Sequence, residues 1–517
     1  MTDIAPAKKP AAKFLILLLS ALILTVPGCV KKRSAIATFL FKQTHNKIYK
    51  DASADSFKVV FEQVFHEEKD GLKNADFIKD FYQKNNYTPV FVMNHLYNGD
   101  LDKVTTYLDR AGDHGLTPEM FQSEQLKALV AKFYAKPGIK TLDEAYCDMA
   151  ELELAAANSL ISYSNALQFG VINPRGIYER YFLSTRRPDS LSMLNVFHIG
   201  NMDSYLQSIQ PQDPQYLALQ KALKGGFVAP KMSAIETKRL LIVNLERLRW
   251  KNKPLEDKYV MVNVPDFTLD VVDSGKSALH MKVCVGQGRN MDYANTLESY
   301  DDTCKEDKPG EHETPLLNSQ IYGVEVNPIW NIPKSIANKE IIVQAAKDKF
   351  YLDNNNIDVY KNDKLVDDPE DIDWTKITKD NLPYDFKQRP GSDNSLGLIK
   401  FMFDNKSNVY LHDTPVKSAF SWKMRAVSHG CVRLGDPKGL ALSLFGNSER
   451  FQTISEDMGK DDPDPTMIYL PKKVPVYITY ITCWADEKGD LQARKDVYGL
   501  DIVLWDHLAR LLSTTKN

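Results

Sequence analysis

The chain changes texture once, at Lys251-Asn252-Lys253-Pro254, and this change governs how it can fold. Upstream, apolar residues recur at helical steps. Leu142, Tyr146, Met149 and Leu152 form one such stripe, and Leu240, Leu241, Leu245 and Leu248 form another, opened by Ser233 and Glu236 at the spacing of a capping box. Downstream, apolar and polar residues alternate through Tyr259–Val272 around a Pro265-Asp266 break, and Leu279–Val285 gives a second strand-like run. The expectation is an α+β chain, with an α-helical scaffold domain over 34–250 followed by a β-rich domain over 255–517. At 517 residues the chain exceeds what one core organises, which agrees with more than one domain. Stripes at helical spacing are core far more often than site, so the helical half is assigned no chemistry.

Inside the β-rich half, Leu396–Phe403, a turn at Asp404–Ser407 and Asn408–His412 read as a hairpin that leaves His412 at a strand end. Asp436 followed by Pro437 starts a helix over Pro437–Leu444. Between 336 and 390 a polar, Asp- and Lys-rich stretch with one helix, Asn338–Lys347, interrupts the strands and reads as an insertion over the site. The chain closes with a strand over Val474–Trp484, a turn at Glu487–Asp490 and an amphipathic helix over Ile502–Leu512.

Lys8, Lys9 and Lys13 precede the apolar run Phe14–Val26, and Pro27, Gly28 and Cys29 follow it. That run is too short for a span of about 20 residues but suits the core of an export signal, so residues 1–29 are expected to be a lipoprotein-type signal peptide with Cys29 as the lipidation site. The expected location is the cell envelope, periplasm-facing and membrane-held through a lipid anchor only. The 65 basic and 68 acidic side chains leave a net charge of −3, and no basic stripe interleaves with aromatics, so nucleic acid is excluded as a partner. Six cysteines without a CxxC pair exclude a zinc ribbon or thioredoxin-type motif, and no disulfide pairing follows from them.

The chemistry concentrates in Ser428-His429-Gly430-Cys431-Val432-Arg433, with His412 sixteen positions before Ser428. A cysteine thiol is a weak nucleophile until a base takes its proton, and an imidazole on a strand end can do so. Gly430 allows close approach of backbone to substrate, amides around Cys431 can hold an oxyanion, and Arg433 offers a fork for a carboxylate. A metal reading fails for want of a fourth ligand and because arginine repels a cation. Arg425 and Lys423 read as a solvated loop face.

Histidine, some fifteen residues, then Ser-His-Gly-Cys and arginine resembles the signature of the YkuD-type L,D-transpeptidase catalytic domain. Asn244–Trp250, Val262–Phe267, Asn327–Pro333, Gly397–Phe401, Gly115–Pro118 and Gly170–Pro174 are similar to landmarks of its large, YcbB-like multidomain subgroup. The resemblance implies attack by Cys431 on the third, diamino residue of a peptidoglycan tetrapeptide stem, release of D-alanine, and transfer of the acyl group to an amine of a neighbouring stem. Water as acceptor would instead make an L,D-carboxypeptidase. The remaining alternative is a non-catalytic, peptidoglycan-binding envelope lipoprotein. By the same resemblance His412 is the base, the backbone oxygen of Asp413 orients it, and the Gly430 and Cys431 amides hold the oxyanion. His429 and Ser428 line the site, Arg433 supports it or meets a substrate carboxylate, and Trp330 and Asn327 wall the groove. Acylation by carbapenems is expected, and no cofactor is implied. The small peptidoglycan-binding module of many relatives has no counterpart between Gln210 and Lys231. The 336–390 insertion resembles the subgroup's capping element.

Overall fold

A computed structural model describes residues 33–513 apart from 137, 251–255, 292–295, 300–311 and 461–463. The export segment and Cys29 therefore lie outside the described residues. The helical half is organised around the helix Leu142–Phe169, whose Thr141 cap accepts from the Glu144 amide at 3.2 Å. Its small residues Ala150, Ala155, Ala156 and Ala157 are buried on nearly every side, which lets the helices Ala54–Glu68, Ala75–Lys84 and Ser123–Tyr134 pack around it. One carboxylate lies inside this apolar bundle. Glu153 accepts from the Phe91 and Val92 amides at 3.1 and 2.6 Å and from the Tyr82 hydroxyl, while burial still pushes its carboxyl up to about 7.

In chain order the strands are β1 (Tyr181–Phe182), β2 (Lys258–Asn263), β3 (Thr268–Asp273), β4 (Lys276–Gly286), β5 (Leu316–Val326), β6 (Trp330–Ile332) and β7 (Ile357–Lys361). There follow β8 (Lys364–Leu365), β9 (Tyr384–Gln388), β10 (Ile399–Phe403), β11 (Leu411–His412), β12 (Ala426–Ser428), β13 (Val432–Leu434) and β14 (Thr466–Thr479). Among the described residues the main sheet runs β1-β5-β10-β11-β13-β4-β3-β2-β14, with β12 on β4. Because β14 pairs with both β2 and β5, the sheet closes on itself. Alternation decides which face is inside: Ile399, Phe401 and Phe403 of β10, Leu411 of β11, and Val432 and Leu434 of β13 all join one apolar core. The fold is thus the expected helical scaffold followed by a β-rich domain.

The capping stretch differs from its sequence reading. Its helical segment starts earlier, at Lys334, and contains a wider turn at Ala337–Ile341 before ending at Ala345. It also holds a sheet, β6-β9-β7-β8, with a core of its own built from Ile332, Ile336, Ile342, Leu352, Val359, Trp374 and Phe386. Short strands flanked by many Asp and Lys residues conceal their alternation, and β6 pairs with β9 across more than fifty residues, which no local pattern reports. The two halves are also less separable than the texture change suggests. β1, from the helical half, pairs with β5, and Ile172, Tyr178 and Leu183 sit in the sheet's core.

The helix Ala234–Arg249 joins the halves through Arg247, whose guanidinium pairs with Asp501, and carries a second buried ion pair within the helical half. Glu246 accepts from Arg249 at 2.8 and 3.1 Å, from the Ile172 amide at 2.8 Å and from the Trp250 indole at 3.1 Å. Arg249 in turn donates to the His114 carbonyl and the Tyr216 hydroxyl. Removing one member strands the other charge in a dry interior. Arg249→Met is therefore expected to cost about 3–5 kcal/mol of stability in chemical denaturation, and a loss under about 1 kcal/mol would show that the pair does not hold the helical half together.

Candidate active site

Strand registers set the site. Glu325 of β5, Lys400 of β10, His412 of β11, Arg433 of β13 and Cys284 of β4 lie opposite one another in a single row across the sheet. Alternation puts this row on the face opposite Leu411 and Val432, away from the core. Cys431 is two residues before Arg433 and Tyr410 two before His412, so both belong to the same face, one step along. The Val432 amide bonds the Tyr410 carbonyl at 3.0 Å, which locks Cys431 diagonally across from His412. β11 and β13 are parallel neighbours, and their pairing replaces any need for the loop 413–427 to carry the imidazole to the sulfur.

His412 is 4% exposed, and its Nδ1 lies 2.5 Å from the Asp413 carbonyl oxygen. A carbonyl only accepts, so Nδ1 carries the proton and Nε2 keeps a free lone pair. Burial, then the Arg433 guanidinium, push the imidazole down to about 4, against the Asp413 and Leu396 carbonyls. The ring is consequently neutral near pH 7, which is the state a proton acceptor needs. Burial pushes the Cys431 thiol up, while the Tyr410 amide, Lys400 and Arg433 favour its anion. At rest the pair is thiol and imidazole, and a proton can pass between them when a substrate arrives.

Asp413 itself is held by its carboxylate, which accepts from the Leu398 amide at 3.1 Å and pairs with Lys417. Gly397 makes this possible. Its φ is +63°, and a Cβ there would stand 2.5 Å from Asp413. The sharp turn after Ser428 is fixed by its hydroxyl, which donates to the Cys431 carbonyl at 2.5 Å and accepts from the Gly430 amide at 3.2 Å. Gly430, at φ +116°, supplies the conformation that this turn requires.

A family model described as "L,D-transpeptidase catalytic domain" (YkuD) matches residues 257–447, and one described as "Scaffold domain" matches residues 76–223. The chain carries a YkuD L,D-transpeptidase domain behind a scaffold domain. A protein of Haemophilus influenzae named "Putative L,D-transpeptidase" is 29% identical over 297 residues, which is 57% of this chain and 55% of that protein. The chain thus matches only about half of that relative's length. A solved structure titled "Structure of the Ldtfm-avibactam carbamoyl enzyme" is 12% identical over 44% of this chain and 49% of the other, with a TM-score of 0.20, a likeness too slight to bear on this chain.

Within the L,D-transpeptidase domain, several residues take roles other than those expected. The Gly430 amide is occupied by Ser428, so it is not an oxyanion donor in this arrangement; the Cys431 amide has no hydrogen-bond partner among the described residues. Ser428 is 3% exposed and staples the turn instead of lining the site. Asn327 does not wall a groove. It is 1% exposed, adopts φ +51°, and its side-chain amide donates to the Asp457 carbonyl at 2.8 Å, which makes it a buried turn residue. Trp330 belongs to β6 and packs partly against the cap's own core. Arg425 is a strut, not a solvated face, since it donates to the Val283, Trp422 and Phe267 carbonyls. Cys147 is exposed, whereas Cys284 and Cys483 are buried.

His429 stands at the rim, its Nε2 2.7 Å from Glu340 of the cap and its ring 4.8 Å from that of His312. The Arg433 side chain has no hydrogen bond or ion pair among the described residues, and its Nε is buried without an acceptor. Lys400, Tyr410, Glu340 and His312 were not singled out from the sequence. Tyr410 and Lys400 were within reach: one lies two residues before His412, the other is the polar position amid Ile399, Phe401 and Phe403. Glu340 and His312 meet His429 only through tertiary packing.

Two outcomes follow from this geometry. Gly397→Ala should push Asp413 off its place and lower turnover at least about tenfold through a misaligned imidazole, with near wild-type circular dichroism; unchanged turnover would show that Asp413 has room to move. A kcat/KM profile should rise with pH through a limb near 4 as His412 loses its proton, stay level through neutrality, and fall only above the ordinary thiol range. An acid limb near the ordinary histidine value would contradict the buried, neutral ring.

Proposed function

We propose that this protein is a peptidoglycan L,D-transpeptidase that works through an acyl-enzyme on Cys431. The observation that carries the reading is the neutral His412, with Nδ1 tied to Asp413 and Nε2 free, diagonally across paired strands from the sulfur. The thiol gives its proton to His412 Nε2 as the sulfur attacks the carbonyl of the third, diamino residue of a tetrapeptide stem. The tetrahedral oxyanion is met by the unpartnered Cys431 amide. Collapse breaks the amide bond, and His412 returns the proton to the departing amine of D-alanine, leaving a thioester.

In the second half-reaction the side-chain amine of a neighbouring stem's diamino residue attacks the thioester, passes its proton to His412, and releases the sulfur. Water in place of the amine gives carboxypeptidase action. The Arg433 guanidinium, buried at its Nε and unpaired, suits a stem carboxylate. The apolar run Phe14–Val26, followed by Pro27, Gly28 and Cys29, fits delivery to the envelope with a lipid anchor, where such stems are found.

Incubation with disaccharide tetrapeptides should yield cross-linked dimers and free D-alanine by mass spectrometry. Cys431→Ala should abolish both, and His412→Ala should slow them about 10²–10⁴-fold. A carbapenem should leave one adduct on the wild type and none on Cys431→Ala. Stem binding by folded wild type with neither adduct nor product would instead establish a binding lipoprotein, and D-alanine without dimers a carboxypeptidase.

A further inference from the structure

Lys400 is placed where a lysine is costly. It sits mid-strand between the fully buried Ile399 and Phe401, and its side chain is only 13% exposed. A desolvated ammonium needs compensation. It finds two partners, neither of them tight: Glu325 Oε2 at 3.4 Å, itself 26% exposed, and the face of the Tyr410 ring, whose centroid is 4.2 Å away. The bland explanation is a cross-strand ion pair that supports the sheet. Two observations point further. Tyr410 lies beside Cys431 across the paired strands, where the Val432 amide bonds its carbonyl at 3.0 Å, so the ring that holds the ammonium belongs to the residue next to the sulfur. Lys400 is also the direct register partner of His412, so its side chain lies on the face that carries the imidazole and the sulfur.

We infer that Lys400 is a positioning residue for this chemistry, its ammonium held between Glu325 and the Tyr410 ring so that its charge favours the anionic form of Cys431. The role is needed because His412, neutral and beside Arg433, offers no resting positive charge to the sulfur. Arg433 and Lys400 flank His412 in one row, on β13 and β10, and both charges favour the anionic sulfur. Glu325 tempers the effect by drawing on the same ammonium. The two charges therefore have opposite consequences for Cys431, which a merely structural ion pair would not produce.

The inference rests on Cys431 being the nucleophile, yet it can be read without turnover. The full-length protein is alkylated with iodoacetamide across a pH series, and Cys431 is followed by peptide mass spectrometry with exposed Cys147 as the control in the same digest. Lys400→Met should move the Cys431 midpoint upward and slow alkylation at pH 7 by about three- to tenfold, with an unchanged rate at the alkaline plateau. Lys400→Arg should keep the wild-type midpoint, and Glu325→Gln should move it downward and speed alkylation at pH 7. Unmoved midpoints in Lys400→Met and Glu325→Gln, or midpoints moved in the same direction, would overturn the inference. Wild type that alkylates with these shifts but forms no product would count against the transpeptidase reading alone.

Discussion

The hydrogen bond from His412 Nδ1 to the Asp413 carbonyl is the constraint on which the site depends. It chooses the tautomer, aims the bare Nε2, and uses the residue next in the chain as its acceptor, so the imidazole and its orienter cannot drift apart. Much of the surrounding structure serves that bond. Gly397 gives up its side chain so that Asp413 can come close, and the Leu398 amide and Lys417 fix the carboxylate. Burial keeps the ring neutral.

The closed sheet supplies the second half of the arrangement. Parallel pairing of β11 with β13 brings two segments sixteen or more residues apart into a single register, and their alternation turns His412, Arg433, Tyr410 and Cys431 to one face while Leu411 and Val432 enter the core. A sheet buried on its other side cannot slip by one residue without turning this chemistry inward, so packing in the core specifies the geometry of the site. What the site leaves unsatisfied marks where ligand groups belong: the Cys431 amide, the Arg433 guanidinium and the Nε2 lone pair. The cap reaches this face through Glu340, which meets His429 at the rim.

The change of texture at residue 251 was legible because helical and strand periods differ over long runs, and so were the hairpin before His412 and the helix after Asp436. Short-range signals carried these. What stayed hidden depended on distant partners. The sheet within the cap forms between β6 and β9, far apart in sequence, and β1 joins the main sheet from within the helical half. Asn327 resembled a groove residue because it lies in a landmark, but its left-handed backbone and its bond to Asp457 bury it. Ser428 and Gly430 bond to each other, and that hydrogen bond, invisible in a motif, takes the Gly430 amide out of the pocket. Lys400 was written plainly in the alternation of β10, yet a lone polar residue in a strand carries no meaning until the residues across from it are known.

His412 waits as a neutral ring with its proton on Nδ1 and its lone pair toward Cys431. Nitrogen-15 NMR of histidine-labelled protein, with His412 assigned by the loss of its signals in His412→Gln, measures this directly at pH 7. A protonated Nδ1 and an unprotonated Nε2 are expected for that ring. A doubly protonated imidazolium, or a ring carrying its proton on Nε2, would contradict it.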